Sequence, residues 1–166
     1  MMEATDQASQ KFRDQGIAPS HTAEHLLNQT MVRMFGCGRA VSAHVERKKS
    51  KCDYLLPSDL TGQQGAELER GMNEVIAQHL QVYCEYMPKA EAERQFDLSK
   101  LPDHASGDLR IVKIGSYDAC PCVGAHVENT SELGRFKVLS TSYEGGVCRI
   151  RWRLGGEAMK VLPGFL

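Results

Sequence analysis

No apolar run in this chain approaches the roughly 20 residues that a membrane-spanning helix needs. Residues 1–16 mix charges of both signs and lack the basic-then-apolar layout of a secretory leader. The sequence therefore predicts a cytoplasmic protein without a membrane partner. An excess of one charge is missing as well: the formal net charge is -1 over 166 residues. A polyanionic partner must then be met by a local basic patch and not by the field of the whole molecule. Internal repeats, low-complexity runs and linkers are also absent. A normal 42% of hydrophobic residues predicts one ordinary core.

Six cysteines are present. Without an export signal they read as reduced thiols. Cys37, Cys84, Cys148 and Cys52 lie in runs that look core-facing and are expected as small buried hydrophobes.

The chain alternates helical and extended patterns. Pro19-Ser20 starts a helix, with Ser20 the expected cap, and Ala23, Leu26, Leu27, Met31 and Met34 form its stripe up to about Phe35. Residues 39–46 alternate as a strand, and residues 52–56 form the next. Between them Arg47, Lys48, Lys49 and Lys51 make a basic hairpin tip. A second helix, capped by Asp59 or Thr61, buries Leu68, Met72, Val75, Ile76 and Leu80. Residues 81–87 read as a strand, 88–94 as a short helix, 99–108 as a loop and 109–114 as a strand. Residues 136–143 and 147–154 form a hairpin across Glu144-Gly145-Gly146, and residues 157–162 a closing helix. The expected fold is α+β, a mainly antiparallel sheet packed with two principal helices. Residues 1–18 form a polar extension and 19–166 a single domain.

His21 and His25 stand four apart on the first helix, so one face presents two imidazoles. Nearly a hundred residues later, Cys122-x-x-x-His126 offers a thiolate and an imidazole around Gly124, which lets the backbone turn. Together they supply the four nitrogen and sulfur donors that zinc takes in tetrahedral geometry. Cys120, two residues before Cys122, is a possible alternative ligand.

These two segments carry a resemblance. HTAEH, then Asp53-Tyr54 closing a strand, then RIVKIGSYDACPCVGAHVENTSELG resembles the editing domain shared by alanyl- and threonyl-tRNA synthetases. It is most similar to the alanyl type and its short freestanding relatives. Ile114-Gly115, Cys122, Gly124, His126, Val127, Thr130, Glu132, Leu133 and Gly134 follow the second family segment. Ala125 stands where the family has Thr, and Cys120 adds a thiol.

The resemblance implies a trans-editing hydrolase that deacylates mischarged tRNA, Ser-tRNA(Ala) or Gly-tRNA(Ala). It also implies one Zn2+ on His21, His25, Cys122 and His126. In that frame Glu24 is the candidate general base, Thr22 a candidate pocket hydroxyl, and Asp53 a candidate for orienting a ligand or binding substrate. Arg149, Arg151 and Arg153, alternating along one strand, and Lys48 and Lys49 at the hairpin tip are candidate phosphate contacts. Two other readings compete: a non-catalytic zinc-stabilised tRNA-binding module, and a metallopeptidase, since His21-x-x-Glu24-His25 fits H-x-x-E-H.

Overall fold

The structure, a computed structural model, describes residues 16–99, 101 and 107–155. The helix expected over 157–162 and most of the loop over 99–108 fall outside them. Three helices are described: α1 (Ala18–Phe35), α2 (Gly62–Ile76) and the short α3 (Lys89–Gln95). Seven strands are described: β1 (Ser42–His44), β2 (Ser50–Leu55), β3 (Val82–Pro88), β4 (Asp108–Ile114), β5 (Asp118–Pro121), β6 (Phe136–Glu144) and β7 (Val147–Leu154). The fold is α+β and every strand pairing is antiparallel, as expected. The strands divide into two sheets, in the orders β1-β2-β7-β6 and β3-β4-β5.

Helix α1 joins the layers, touching β7 of the first sheet, β5 of the second, and α2. Its stripe is completely shielded at Ala23, Leu26, Leu27 and Met31. Around it pack Leu68 and Met72 of α2, Cys52 and Tyr54 of β2, and Ile150 and Trp152 of β7. A satellite cluster of Ala92, Leu109 and Ile111 seats α3 on the second sheet.

Local chemistry explains where the boundaries fall. Helix α1 begins at Ala18 without a side-chain cap, and Ser20 lies buried inside it. Pro19 sits in the first turn, where a missing N–H costs nothing. Ile17 and Ala18 are buried as well, whereas residues 1–15 of the expected extension are outside the described part. Helix α2 starts on Thr61, the second of its two expected caps. Its hydroxyl accepts from Gln64 N–H and the Gln64 amide accepts from Thr61 N–H, a reciprocal box. The β6–β7 turn places Gly145 and Gly146 at φ 57° and 80°, backbone that only glycine adopts without strain.

Further expectations are corrected. Helix α2 ends at Ile76, so Leu80 lies beyond it and is half-buried. The strand expected over 39–46 shrinks to Ser42–His44, all exposed. Val41 N–H still bonds Asp53 O (2.8 Å), but before it the backbone leaves the ladder, because Ala40 N–H donates to the Asn28 side chain and Arg39 reaches across to Asp118. Cys84 is exposed, not buried, because β3 pairs only with β4 and forms the rim of its sheet. Cys52 and Cys148 are buried as expected, and Cys37 is half-buried.

Candidate metal centre

The first turns of α1 and the loop after β5 meet. Helical spacing stacks His21 over His25 with both nearly shielded from solvent, at 5% and 3% exposure. The loop is folded onto β4 by Arg110. Its Nη1 donates to the carbonyls of Cys122 (3.0 Å) and Gly124 (2.8 Å), and Cys122 N–H donates back to Arg110 O (3.1 Å). Gly124 N–H in turn points at Cys122 Sγ (3.4 Å). The result is one cluster in which the donor atoms of His21, His25, Cys122 and His126 all lie within 4.8 Å of one another. Cys122 Sγ stands 3.4 Å from His21 Nε2. The rings of His21 and His126 stack at 4.1 Å, and His25 meets both edge-on, at 4.9 and 4.5 Å.

Hydrogen bonds decide which nitrogen carries the proton in His21 and His126. His21 Nδ1 lies 3.0 Å from the carbonyl of Ala125, which can only accept. Nδ1 therefore carries the proton, and the lone pair is on Nε2. Thr22 fixes His126 in the same way. Its hydroxyl donates to Ala18 O (3.0 Å) and accepts from Val127 N–H (3.2 Å). With its one proton used, it can only accept from His126 Nδ1 (2.9 Å). His126 Nε2 is then a buried lone pair without a partner, at a cost that a ligand would remove. His25 Nδ1 is also buried without a hydrogen bond, 3.7 Å from Asp118 Oδ2, so its other nitrogen is the one turned to Glu24.

Burial keeps these groups neutral. It lowers His21 to about 4, against a smaller opposing pull from the Ala125 carbonyl. Burial, then the neighbouring His21 and Arg110, take His126 to about 2, and His25 is pushed well below the usual imidazole value by burial first. Burial raises the Cys122 thiol, and the Gly124 N–H works against the rise. Neutral imidazoles beside a thiol held near a backbone N–H form a donor set suited to zinc.

The remaining candidates separate. Glu24 lies at the edge of the cluster, its Oε2 3.8 Å from His25 Nε2, and Asn28 Nδ2 donates to its Oε1 (3.0 Å). Asn28 is held by the buried Tyr54 hydroxyl (2.7 Å), so β2 aims Glu24 through α1. Thr22 is completely buried and all its valences are used inside the protein. It holds His126 and does not line an open pocket. Asp53 forms a two-pronged pair with Arg149, at 2.8 and 3.0 Å, directly across the β2–β7 ladder. Arg149 holds its carboxyl below the usual range. Cys120 is not one of the four clustered donors. Burial pushes its thiol up to about 12, and its Sγ faces the Pro121 carbonyl. A peptidase of the H-x-x-E-H type needs a carboxylate ligand, but the two further donors here are a thiol and an imidazole.

Sequence reasoning missed Asp118, Arg39, Asn28 and Arg110, none of which belongs to the four-residue His/Cys cluster. The available signal was an acidic residue opening the apolar strand beside the thiols. The basic candidates, read from sequence as two patches, become one. Lys51 pairs across the ladder with Arg151, and Lys137 with Arg153, on the outer face of the first sheet. Lys48 and Lys49 are exposed in the β1–β2 connection that leads into Lys51, whereas Arg149 is already paired with Asp53. A groove of about 510 Å³ between α2 and residues 131–135 contains none of the four donors.

Comparison with known proteins finds relatives over most of the chain and a family match over part of it. Residues 109–151, the segment carrying Cys122 and His126, match the family model described as the threonyl and alanyl tRNA synthetase second additional domain. Relatives include alanine-tRNA ligases of Streptomyces avermitilis (32% identical over 152 residues, 90% of this chain and 17% of the ligase) and Bacillus pumilus (30% over 149 residues, 89% and 17%). The ligase of Halalkalibacterium halodurans is 33% identical over 146 residues, 86% of this chain and 16% of the ligase. The chain thus spans about a sixth of the length of these relatives. On these matches, and with an α+β fold to go with them, the chain belongs with the proteins that carry the threonyl and alanyl tRNA synthetase second additional domain.

Proposed function

We propose that this chain is a zinc-dependent hydrolase that cleaves the ester bond of mischarged tRNA, with seryl- and glycyl-tRNA(Ala) as substrates. The observation that carries the reading is the convergence of three neutral imidazoles and one thiol beside a carboxylate aimed by its own hydrogen bond. When bound by His21, His25, Cys122 and His126, zinc supplies a Lewis acid.

The chain's own residues do the rest. Asn28 leaves Glu24 Oε2 as the oxygen nearer His25 Nε2. Glu24 takes a proton from water as the water oxygen attacks the ester carbon, and returns it to the departing ribose oxygen. Arg110 holds the donor loop on β4, and Thr22 holds it against α1. An aminoacyl ester is already activated, so this modest catalysis suffices. Lys48, Lys49, Lys51, Lys137, Arg151 and Arg153 meet the phosphates of the tRNA body, and their contribution is salt-dependent.

A second reading is a zinc-stabilised tRNA-binding module without activity. It is favoured by the donor set itself, since four protein ligands leave no position for water in a tetrahedral site. One experiment separates the two: release of amino acid from Ser-tRNA(Ala), Gly-tRNA(Ala), Ser-tRNA(Thr) and correctly charged controls. We expect serine or glycine release that disappears in His21→Ala and Cys122→Ala and drops at least about 100-fold in Glu24→Gln. No release from any charged tRNA by a zinc-loaded protein establishes the module. A preparation that binds no zinc overturns both.

A further inference from the structure

The buried carboxylate of Asp118 is neither one of the four donors nor part of the proposed hydrolysis, yet it closes the back of the site. Its side chain is completely shielded. Oδ1 accepts from Arg39 Nη1 (2.7 Å) and Gln29 Nε2 (3.1 Å), and Oδ2 lies 3.3 Å from Arg39 Nη2. Gln29 lies on α1 and Arg39 on the segment after it, so the carboxylate is held from both. His25, one turn before Gln29 on the same helix, places its Nδ1 3.7 Å from Oδ2.

His25 is the odd one among the three imidazoles. His21 Nδ1 meets the Ala125 carbonyl and His126 Nδ1 meets the Thr22 hydroxyl, each within 3.0 Å. His25 Nδ1 is buried and has no hydrogen bond. An imidazole N–H in that position needs an acceptor, and a carboxylate is the strongest acceptor a side chain offers. The Asp118 oxygen is already aimed at it, with the carboxylate's remaining donors fixed. A closure of about 0.8 Å brings the pair to hydrogen-bond length. Histidine ligands to a metal ordinarily hand their second N–H to such a partner, which fixes tautomer and ring plane together.

We propose that Asp118 is the positioning residue of the metal centre. It accepts the His25 Nδ1 proton, holds the lone pair on Nε2 and sets the ring plane, while Arg39 and Gln29 lock the carboxylate in place. This rests on the zinc reading given above. It does not depend on whether the centre hydrolyses an ester.

The test is Asp118→Asn, which keeps the shape and removes the charge. Zinc affinity is read by competition with a chromogenic chelator, and histidine tautomers by nitrogen-15 NMR of the zinc-loaded protein. We expect zinc binding 10- to 100-fold weaker than in the unaltered chain, roughly the loss typical when the partner of a ligand is removed. We also expect a protonated His25 Nδ1 in the unaltered chain whose resonance moves in Asp118→Asn, with the His21 and His126 resonances unmoved. A merely structural aspartate would weaken the fold without singling out one ring. Zinc affinity within about threefold of the unaltered chain and a stationary His25 resonance overturn the proposal. So does a His25 protonated on Nε2, or an unaltered chain without zinc affinity. If Asp118→Asn fails to fold, the spectrum of the unaltered chain decides on its own. Tight zinc with the expected spectrum but no deacylation supports the role of Asp118 and overturns only the hydrolytic reading.

Discussion

The donor cluster and the basic face of the first sheet are both assembled from distant stretches of chain, by opposite means. In the cluster, position is over-determined. His21 and His126 each have one nitrogen bound to a fixed acceptor, and the Cys122 loop is pinned to β4 by Arg110. On the basic face position comes mainly from the strand register. Lys51, Arg151, Arg153 and Lys137 stand near one another because β2, β7 and β6 pair in that register. Lys51 is half-buried, the other three are exposed, and Arg151 Nη1 donates a long bond to Ser142 Oγ (3.4 Å). The cluster should therefore fail all at once, whereas the face should weaken charge by charge.

The largest expected effect follows from the first half of that contrast. Cys122→Ala or His126→Ala removes one of four donors and should lower zinc affinity by more than about 100-fold, beyond the loss typical for an outer partner. Arg151→Gln should leave zinc affinity unchanged. Chelator competition on all three proteins checks this. A graded loss of a few-fold in Cys122→Ala would show that the donors do not act as a unit, and the comparison would break.

Acid should reach the cluster and bypass the face. The folded-state values of His21 and His126 lie below the unfolded value of 6.5, at about 4 and about 2. Below pH 6.5 the unfolded chain binds protons that the folded metal-free chain refuses. The stability from these groups is complete above about pH 6.5 and is lost progressively as pH falls toward 4 and below. The His21 shift alone corresponds to about 3 kcal/mol. Urea titrations of the metal-free protein at pH 7, 5.5 and 4.5 should show falling midpoints. A His21→Gln variant should show a shallower fall. Equal slopes in the two proteins would mean that His21 is not held neutral by the fold.

What was legible in the sequence divides along similar lines. The meeting of His21, His25, Cys122 and His126 was legible because metal chemistry admits few residue types and the helix places His21 and His25 at a fixed offset. The helical stripe of α1 and the Glu144-Gly145-Gly146 turn were legible because their periods and torsions are local properties. The roles of Asp118, Arg39 and Asn28 were not. Each depends on which segment lies opposite, and Asp118 meets Arg39 across 79 positions of sequence. The truncated β1 was missed for the same reason, since alternation over 39–46 cannot show that Ala40 N–H goes to a side chain on α1. The three arginines of β7 looked equivalent by spacing. Only the register of β2 reveals that Arg149 faces an aspartate and Arg151 a lysine.

The smaller predictions use that inequality. Binding of tRNA by the basic face should weaken with salt, and each of Arg151→Gln and Arg153→Gln should reduce the slope of log affinity against log salt by about 1. Filter binding of uncharged tRNA(Ala) over a range of salt concentrations reads this directly. An unchanged slope in the Arg151→Gln, Arg153→Gln double variant would remove the face from the interface.

The smallest effect is expected at the third arginine. Arg149 donates two hydrogen bonds to Asp53, so its charge is already answered within the protein. Removing it alone would expose the aspartate and depress RNA binding through repulsion, which is uninformative. Removing both partners keeps the net charge of the face constant. Asp53→Asn combined with Arg149→Gln should therefore leave the salt slope unchanged. Because Arg149 is partly exposed and the pair is screened, it should cost no more than about 1 kcal/mol in stability. A slope reduced by about 1 in this double variant would mean that Arg149 leaves Asp53 to contact phosphate in the complex. That result would assign Asp53 a role in releasing the arginine to RNA, and the face would then be set by exchange of partners as well as by register.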